Sequence, residues 1–176
     1  MKENKPFTFL GMYSELSAAQ HIVRNFTDSD WANYAKRRQT KSVAGGHTDT
    51  IPLIYSTVDS PQKQEEHFNK QLFDSVLGDI VNIYGDYFSE CSIGRAFLAR
   101  MHPFGEIKRH KDVGVVSAKT HRIHLPIFTN EDCLFTVGES TIHMREGELW
   151  IIDNTDQYHS VINGNTHRIH LIVDVY

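Results

Sequence analysis

From residue 95 to residue 176 the chain is built of short runs rich in β-branched and aromatic residues, each closed by a turn signal. The runs fall near 95–102, 106–112, 121–128, 133–137, 140–144, 148–153, 157–162 and 165–173. Between them stand PFG at 103–105, TNED at 129–132, GE at 138–139, EG at 146–147, DNTD at 153–156 and NG at 163–164. Runs this short, broken this often, are strands rather than helices. A series of them at this spacing buries its apolar residues by forming a sandwich or a barrel of the jelly-roll or cupin type. The predicted class is mainly β, with helices preceding the barrel.

The N-terminal part has a different texture. Residues 14–26 place Leu16, Ala19, Ile22, Val23 and Phe26 at helical spacing behind a serine cap. Residues 28–39 read as a second, more polar helix, and 48–56 as a short strand that Pro52 would confine to an edge. The strongest helical stripe is Phe68, Leu72, Val76, Ile80 and Ile83; Ser60 and Pro61 suggest that this helix starts at 60 and runs to 84. No linker separates the two textures. A chain of 176 residues suits one domain and can bury a core without a staple. The expected organisation is a helical buttress with a short strand over 1–94 and a barrel core over 95–176.

Composition narrows the function. With 22 acidic and 18 basic residues the net charge is -4, which does not suit a general nucleic-acid binder. No apolar run approaches the length of a membrane span. The opening residues MKENKPFTFLGMYSEL hold an acid among lysines and only a broken apolar stretch, unlike a signal peptide. The two cysteines, Cys91 and Cys133, form no CxxC and no zinc spacing. A reducing, cytoplasmic setting is expected. Histidine is the unusual residue: there are 11, eight of them at or after His102.

His110 and Asp112 form an HxD pair. On a strand they project from one face, about 7 Å apart at the backbone. His159 follows in a later strand. Two histidines and a carboxylate with open positions make the facial triad that holds ferrous iron. A local echo adds to this: THRIHL occurs at 120–125 and again at 166–171. Period 2 puts Arg122 with His124 on one face, and Arg168 with His170. The opposite faces carry Ile123, Leu125, Ile127, Ile169, Leu171 and Val173. The Asn163-Gly164 pair predicts a two-residue hairpin joining Ile162 to Asn165, with His159 opposite Arg168. A dicarboxylate could then bridge a metal and the Arg168 fork.

These segments resemble the aspartyl/asparaginyl β-hydroxylase family of iron(II)/2-oxoglutarate-dependent dioxygenases, which includes free-proline hydroxylases. The matching text is HPFGEIKRHKDVG, HRIHLPIFTN, VGE, REGELWIIDNTDQYHSVIN and HRIHLIVDV, in that order, with HTDTIPL earlier. The resemblance implies a double-stranded β-helix fold. It implies Fe(2+) held by His110, Asp112 and His159, and the co-substrate 2-oxoglutarate held by Arg168 with His124 as a second contact. Arg122 is the candidate for a substrate carboxylate. The implied reaction hydroxylates a C–H bond of an amino-acid-like or peptidyl Asp, Asn or Pro substrate, releasing succinate and CO2. Asp112 likens the chain to the free-amino-acid hydroxylases, because the animal enzymes that act on epidermal-growth-factor-like domains lack this carboxylate. Ala99 stands where those enzymes place a serine that helps hold the co-substrate. Two other readings fit the barrel: a non-catalytic cupin-like module that binds metal or a small acid, and a metal-dependent isomerase.

Overall fold

The computed structural model describes residues 5–35, 46–57, 60–88, 91–113 and 115–176. In chain order it contains β1 (Phe7–Met12), α1 (Leu16–Arg24), α2 (Asp28–Ala35), β2 (Thr48–Thr57) and β3 (Ser60–Glu66). A 3-10 helix (Phe68–Phe73), α3 (Asp74–Phe88), β4 (Ile93–Met101), β5 (Glu106–His110) and α4 (Val115–Lys119) follow. The chain ends with β6 (His121–Phe128), β7 (Leu134–Val137), β8 (Ser140–Ile142), β9 (Glu148–Ile152), β10 (His159–Ile162) and β11 (Arg168–Val175). Seven strands form one sheet in the order β1-β9-β6-β11-β4-β2-β3, and four form a second in the order β5-β10-β7-β8. This is a double-stranded β-helix.

Period-2 alternation divides the larger sheet into two working faces. The odd residues Ile123, Leu125, Ile127, Ile169, Leu171 and Val173 join Val76, Leu77 and Ile80 of α3 in the main apolar core. The even residues face the other way, toward the smaller sheet. There Met101 and Ile152 of the larger sheet pack with Phe135, Val137 and Val161 of the smaller one. Helices thus cover one face, and the opposite face lines the barrel interior.

The N-terminal part contributes strands as well as helices. β1 and α4 were not anticipated from sequence. Residues 60–66 form a strand, not the start of a helix: SPQKQEE carries no apolar stripe, and β3 is the edge of its sheet, where Pro61 is tolerated. The long helix begins at Asp74, so Val76 and Ile80 are buried as expected, while Leu72 of the preceding 3-10 turn is exposed. The polar helix at 28 is present to Ala35, and 36–39 lie outside the described residues. Pro52 keeps its edge character only locally. β2 pairs with β4 over Thr48–Ile54 but with β3 only from Ile54 onward, so Pro52 faces a strand on one side.

The Asn163-Gly164 hairpin does not form. β10 pairs with β5 and β7, whereas β11 pairs with β4 and β6 in the facing sheet. The segment between them crosses from sheet to sheet. Asn163 anchors the crossing through its side chain, which donates to the carbonyls of His102 and Thr166, each at 2.8 Å.

No described helix is long and apolar enough to cross a membrane. Cys91 is half-buried, Cys133 is buried, and both are free. Titration of the denatured, non-reduced protein with a thiol reagent should therefore find both cysteines reactive; recovery of a Cys91–Cys133 disulfide would contradict the structure.

Candidate metal centre and co-substrate pocket

A bulge aims the first metal ligand. Between His110 and Ile107 on β5 lies one residue more than between the paired His159 and Val161 on β10. Strict alternation would place Ile107 and His110 on opposite faces. The extra residue restores phase, so Ile107 packs in the interior and His110 also turns inward. β5 ends at His110, so Asp112 lies beyond the strand rather than on it. It is fixed by a reciprocal clasp: the Asp112 N–H donates to the Asn154 carbonyl at 2.8 Å, and Asn154 Nδ2 donates to Asp112 Oδ2 at 2.8 Å.

Three ligand atoms converge. His110 Nε2 lies 3.4 Å from Asp112 Oδ1, and His159 Nε2 lies 3.9 Å from the same oxygen. All three lie within 4.8 Å of one another. His110 Nδ1 meets the Lys108 carbonyl at 2.8 Å. A carbonyl only accepts, so Nδ1 donates this bond and Nε2 is the nitrogen left to face a metal. The second Asp112 oxygen, Oδ2, is committed to Asn154 and to Arg122 Nη1. Oδ1 is thus left facing the two imidazoles. Two imidazoles and one carboxylate, with no further protein ligand among the described residues, suit a first-row divalent ion that keeps open positions.

Behind the ligands runs an alternating chain of charge. Arg122 Nε and Nη2 donate to Asp174 at 2.8 and 3.1 Å. Arg95 Nε donates to Asp174 at 2.7 Å, and Arg95 Nη2 contacts the same oxygen. Burial opposes ionisation of Asp112, but Arg122, Asn154 and the two histidines outweigh it and hold the carboxyl below its usual range. Burial lowers His159 to about 4, against the opposing pull of Asp112. Asn154 was read from sequence only as part of a turn. Its type carries no signal of ligand support; only its position beside Asp112 does.

Deeper in the barrel is a second polar group. Arg168 is 2% exposed and meets no carboxylate among the described residues. Its Nη2 contacts His170 Nδ1 at 2.8 Å, and its Nε has no partner. Phe135 reaches both ends of the interior: its ring stacks 6.3 Å from His159 and lies 5.9 Å from the Arg168 guanidinium. His124 is 5.2 Å from the same ring. The echo strands β6 and β11 are neighbours, and Arg122, His124, Arg168 and His170 all turn inward as expected. His121 turns the other way and meets Tyr84 of α3 at 2.6 Å. Trp150 is half-buried against Phe7 and Phe9, with Nε1 donating to Glu148.

The family model for aspartyl/asparaginyl β-hydroxylase matches residues 14–176. The chain belongs to the aspartyl/asparaginyl β-hydroxylase family. It is by class an iron(II)/2-oxoglutarate-dependent dioxygenase. The fold recurs in solved structures of low identity. A prolyl-4-hydroxylase from Pseudomonas putida superposes with a TM-score of 0.64 at 10% identity, over 97% of this chain and 91% of that one. A 2-oxoglutarate/Fe(II) oxygenase-family oxidoreductase from Burkholderia pseudomallei gives 0.63 at 16% identity, over 97% and 84%. A Streptomyces hygroscopicus protein solved with nickel and 2-oxoglutarate bound gives 0.62 at 11%, over 98% and 83%.

Burial makes this family member acid-sensitive. It lowers His124, His159 and His170, the first and last well below the ordinary range. The unfolded chain therefore binds more protons than the folded one once pH falls below about 6.5. Stability is present above that pH and is lost as pH falls toward 4, at up to about 1.4 kcal/mol per pH unit for each histidine. The melting temperature of metal-free protein should drop between pH 6.5 and 5.5. A flat profile there would show that these rings are not held neutral.

Proposed function

We propose that the chain hydroxylates a C–H bond of an amino-acid-like substrate, or of a peptidyl Asp, Asn or Pro residue, consuming oxygen and 2-oxoglutarate and releasing succinate and CO2. The observation that carries this reading is the buried Arg168 cation, without an acid partner among the described residues, in the same interior as the His110–Asp112–His159 triad. A buried charge left unpaired is costly, so a site of this kind suits an anionic ligand.

The geometry supports the following roles. His110, Asp112 and His159 would hold Fe(2+), which would supply the redox chemistry and take the keto-acid end of 2-oxoglutarate as a ligand. Arg168 receives the far carboxylate by a two-pronged contact, with His124 as the second contact alongside the carbon chain. Asn154 and Arg122 position Asp112 by engaging one oxygen and leaving the other free. Arg122 has five N–H donors, and three are engaged by Asp112 and Asp174. The remaining two are available to a substrate carboxylate. Phe135, Val161 and Ile152 keep the interior dry.

Purified protein incubated with ferrous iron, ascorbate, oxygen and 2-oxoglutarate should form succinate. A panel of free amino acids and short Asp-, Asn- and Pro-containing peptides should yield a product heavier by one oxygen atom. Absence of 2-oxoglutarate binding in metal-loaded protein would refute the reading in favour of a different barrel function.

A further inference from the structure

His170 is fully buried, and neither its presence nor its partner is needed to complete the triad. Its protonation can be read from its neighbours. Arg168 can only donate, so the 2.8 Å contact from Nη2 makes His170 Nδ1 the acceptor. Burial, reinforced by the Arg168 charge, keeps the ring neutral. A neutral imidazole carries a single proton, which is therefore on Nε2. That N–H is buried and has no partner. His124 Nδ1 lies 3.2 Å from the same His170 Nδ1, whose single lone pair already receives Arg168, and His124 Nε2 is also buried without a partner. Of the two histidines, His170 is the one whose partner fixes its unpartnered ring nitrogen as a donor.

The neighbouring strand offers no competing donor. Ala99 of β4 pairs directly with His170 and packs with Phe97 and Ile172, a methyl group where a polar side chain could have served. Two unpartnered buried donors thus occur two residues apart on one face of β11: Arg168 Nε and His170 Nε2.

Resting on the co-substrate reading above, we infer that His170 is a second donor to the far carboxylate of 2-oxoglutarate, through Nε2–H, beside Arg168. It also holds the guanidinium in place through Nδ1. The site therefore recognises dicarboxylic keto acids through an Arg–His pair on one strand.

The test uses manganese-loaded protein titrated anaerobically with two keto acids. Both 2-oxoglutarate and 2-oxobutyrate can chelate the metal, but only the first has a far carboxylate. His170→Phe fills the ring volume and removes both hydrogen bonds. It should weaken 2-oxoglutarate about 10-fold or more and leave 2-oxobutyrate unchanged. Adding Ala99→Ser, which sets a hydroxyl on the paired strand, should restore part of the loss. Unaltered 2-oxoglutarate affinity in folded His170→Phe protein would overturn the inference alone, as would an equal loss for both keto acids. Failure of the unaltered protein to bind 2-oxoglutarate would overturn the functional reading itself. A measurement on the unaltered chain guards against a variant that does not fold. In zinc-loaded protein, the His170 Nε2–H proton resonance should shift when 2-oxoglutarate is added and stay fixed with 2-oxobutyrate; a resonance that ignores both ligands, or a proton found on Nδ1, would refute the assignment.

Discussion

Replacing His159 with alanine is expected to abolish iron binding and turnover while leaving a folded barrel. The ring supplies one of the three ligands that converge among the described residues, and its loss leaves a single imidazole beside Asp112 to hold the ion. The fold does not depend on the ion. Apolar residues of two facing sheets meet around the site, and a separate larger core lies between the sheet and the helices. His159 is itself neutral and stacked on Phe135, so its loss leaves a modest void rather than an uncompensated charge. One acid-sensitive group is also removed. The metal-free His159→Ala protein should thus lose stability less steeply than the parent below about pH 6.5. Metal content after dialysis, succinate production and melting curves at two pH values check each part. Full activity in this variant would refute the triad.

How far the sequence foretold this site depends on how local each signal is. The strands after Gly94 were legible because alternation there is strict and each run ends in a turn residue. The two HRIHL segments were legible for the same reason: their odd residues had to be core, so their even residues had to face the interior. The NG signal failed because it is a statement about two adjacent residues, whereas the chain there is held from elsewhere. The backbone N–H of Asn163 donates to Gly105, and the Phe104 N–H donates to the Gly164 carbonyl, tying the turn to the 101–105 corner. Gly164 serves close approach, since a Cβ there would collide with the Asn130 and Asp132 side chains. His159 and Arg168 still face a common interior, because each sheet turns its own inner face to it. The bulge in β5 was equally invisible: no residue type at 108–109 announces it, yet it decides that His110 points inward. β1 was missed because FTFLGM is short and Gly11 interrupts it at the point where its register shifts.

Arg168→Gln is expected to separate co-substrate binding from metal binding. A hydrogen bond to a charged group contributes about 1.5–3 kcal/mol, and about 1.4 kcal/mol is tenfold in affinity. Loss of a two-pronged contact should therefore raise the dissociation constant for 2-oxoglutarate roughly 10- to 200-fold. Metal affinity should stay nearly intact, because Arg168 touches none of the three ligands. Arg168→Lys should be milder but not silent, since an ammonium cannot reproduce the planar fork. Stability supplies an independent reading. Burial pulls the guanidinium below its ordinary pKa, and no carboxylate among the described residues compensates it. A neutral amide relieves that burden, so ligand-free Arg168→Gln protein should melt no lower than the parent. The rise in melting temperature on adding 2-oxoglutarate should shrink in step with the lost affinity. A structural Arg168 predicts the reverse pattern, a lower melting temperature with unchanged affinity. Anaerobic titration with manganese in place of iron distinguishes the two, and unaltered 2-oxoglutarate binding in well-folded Arg168→Gln protein would refute the co-substrate role.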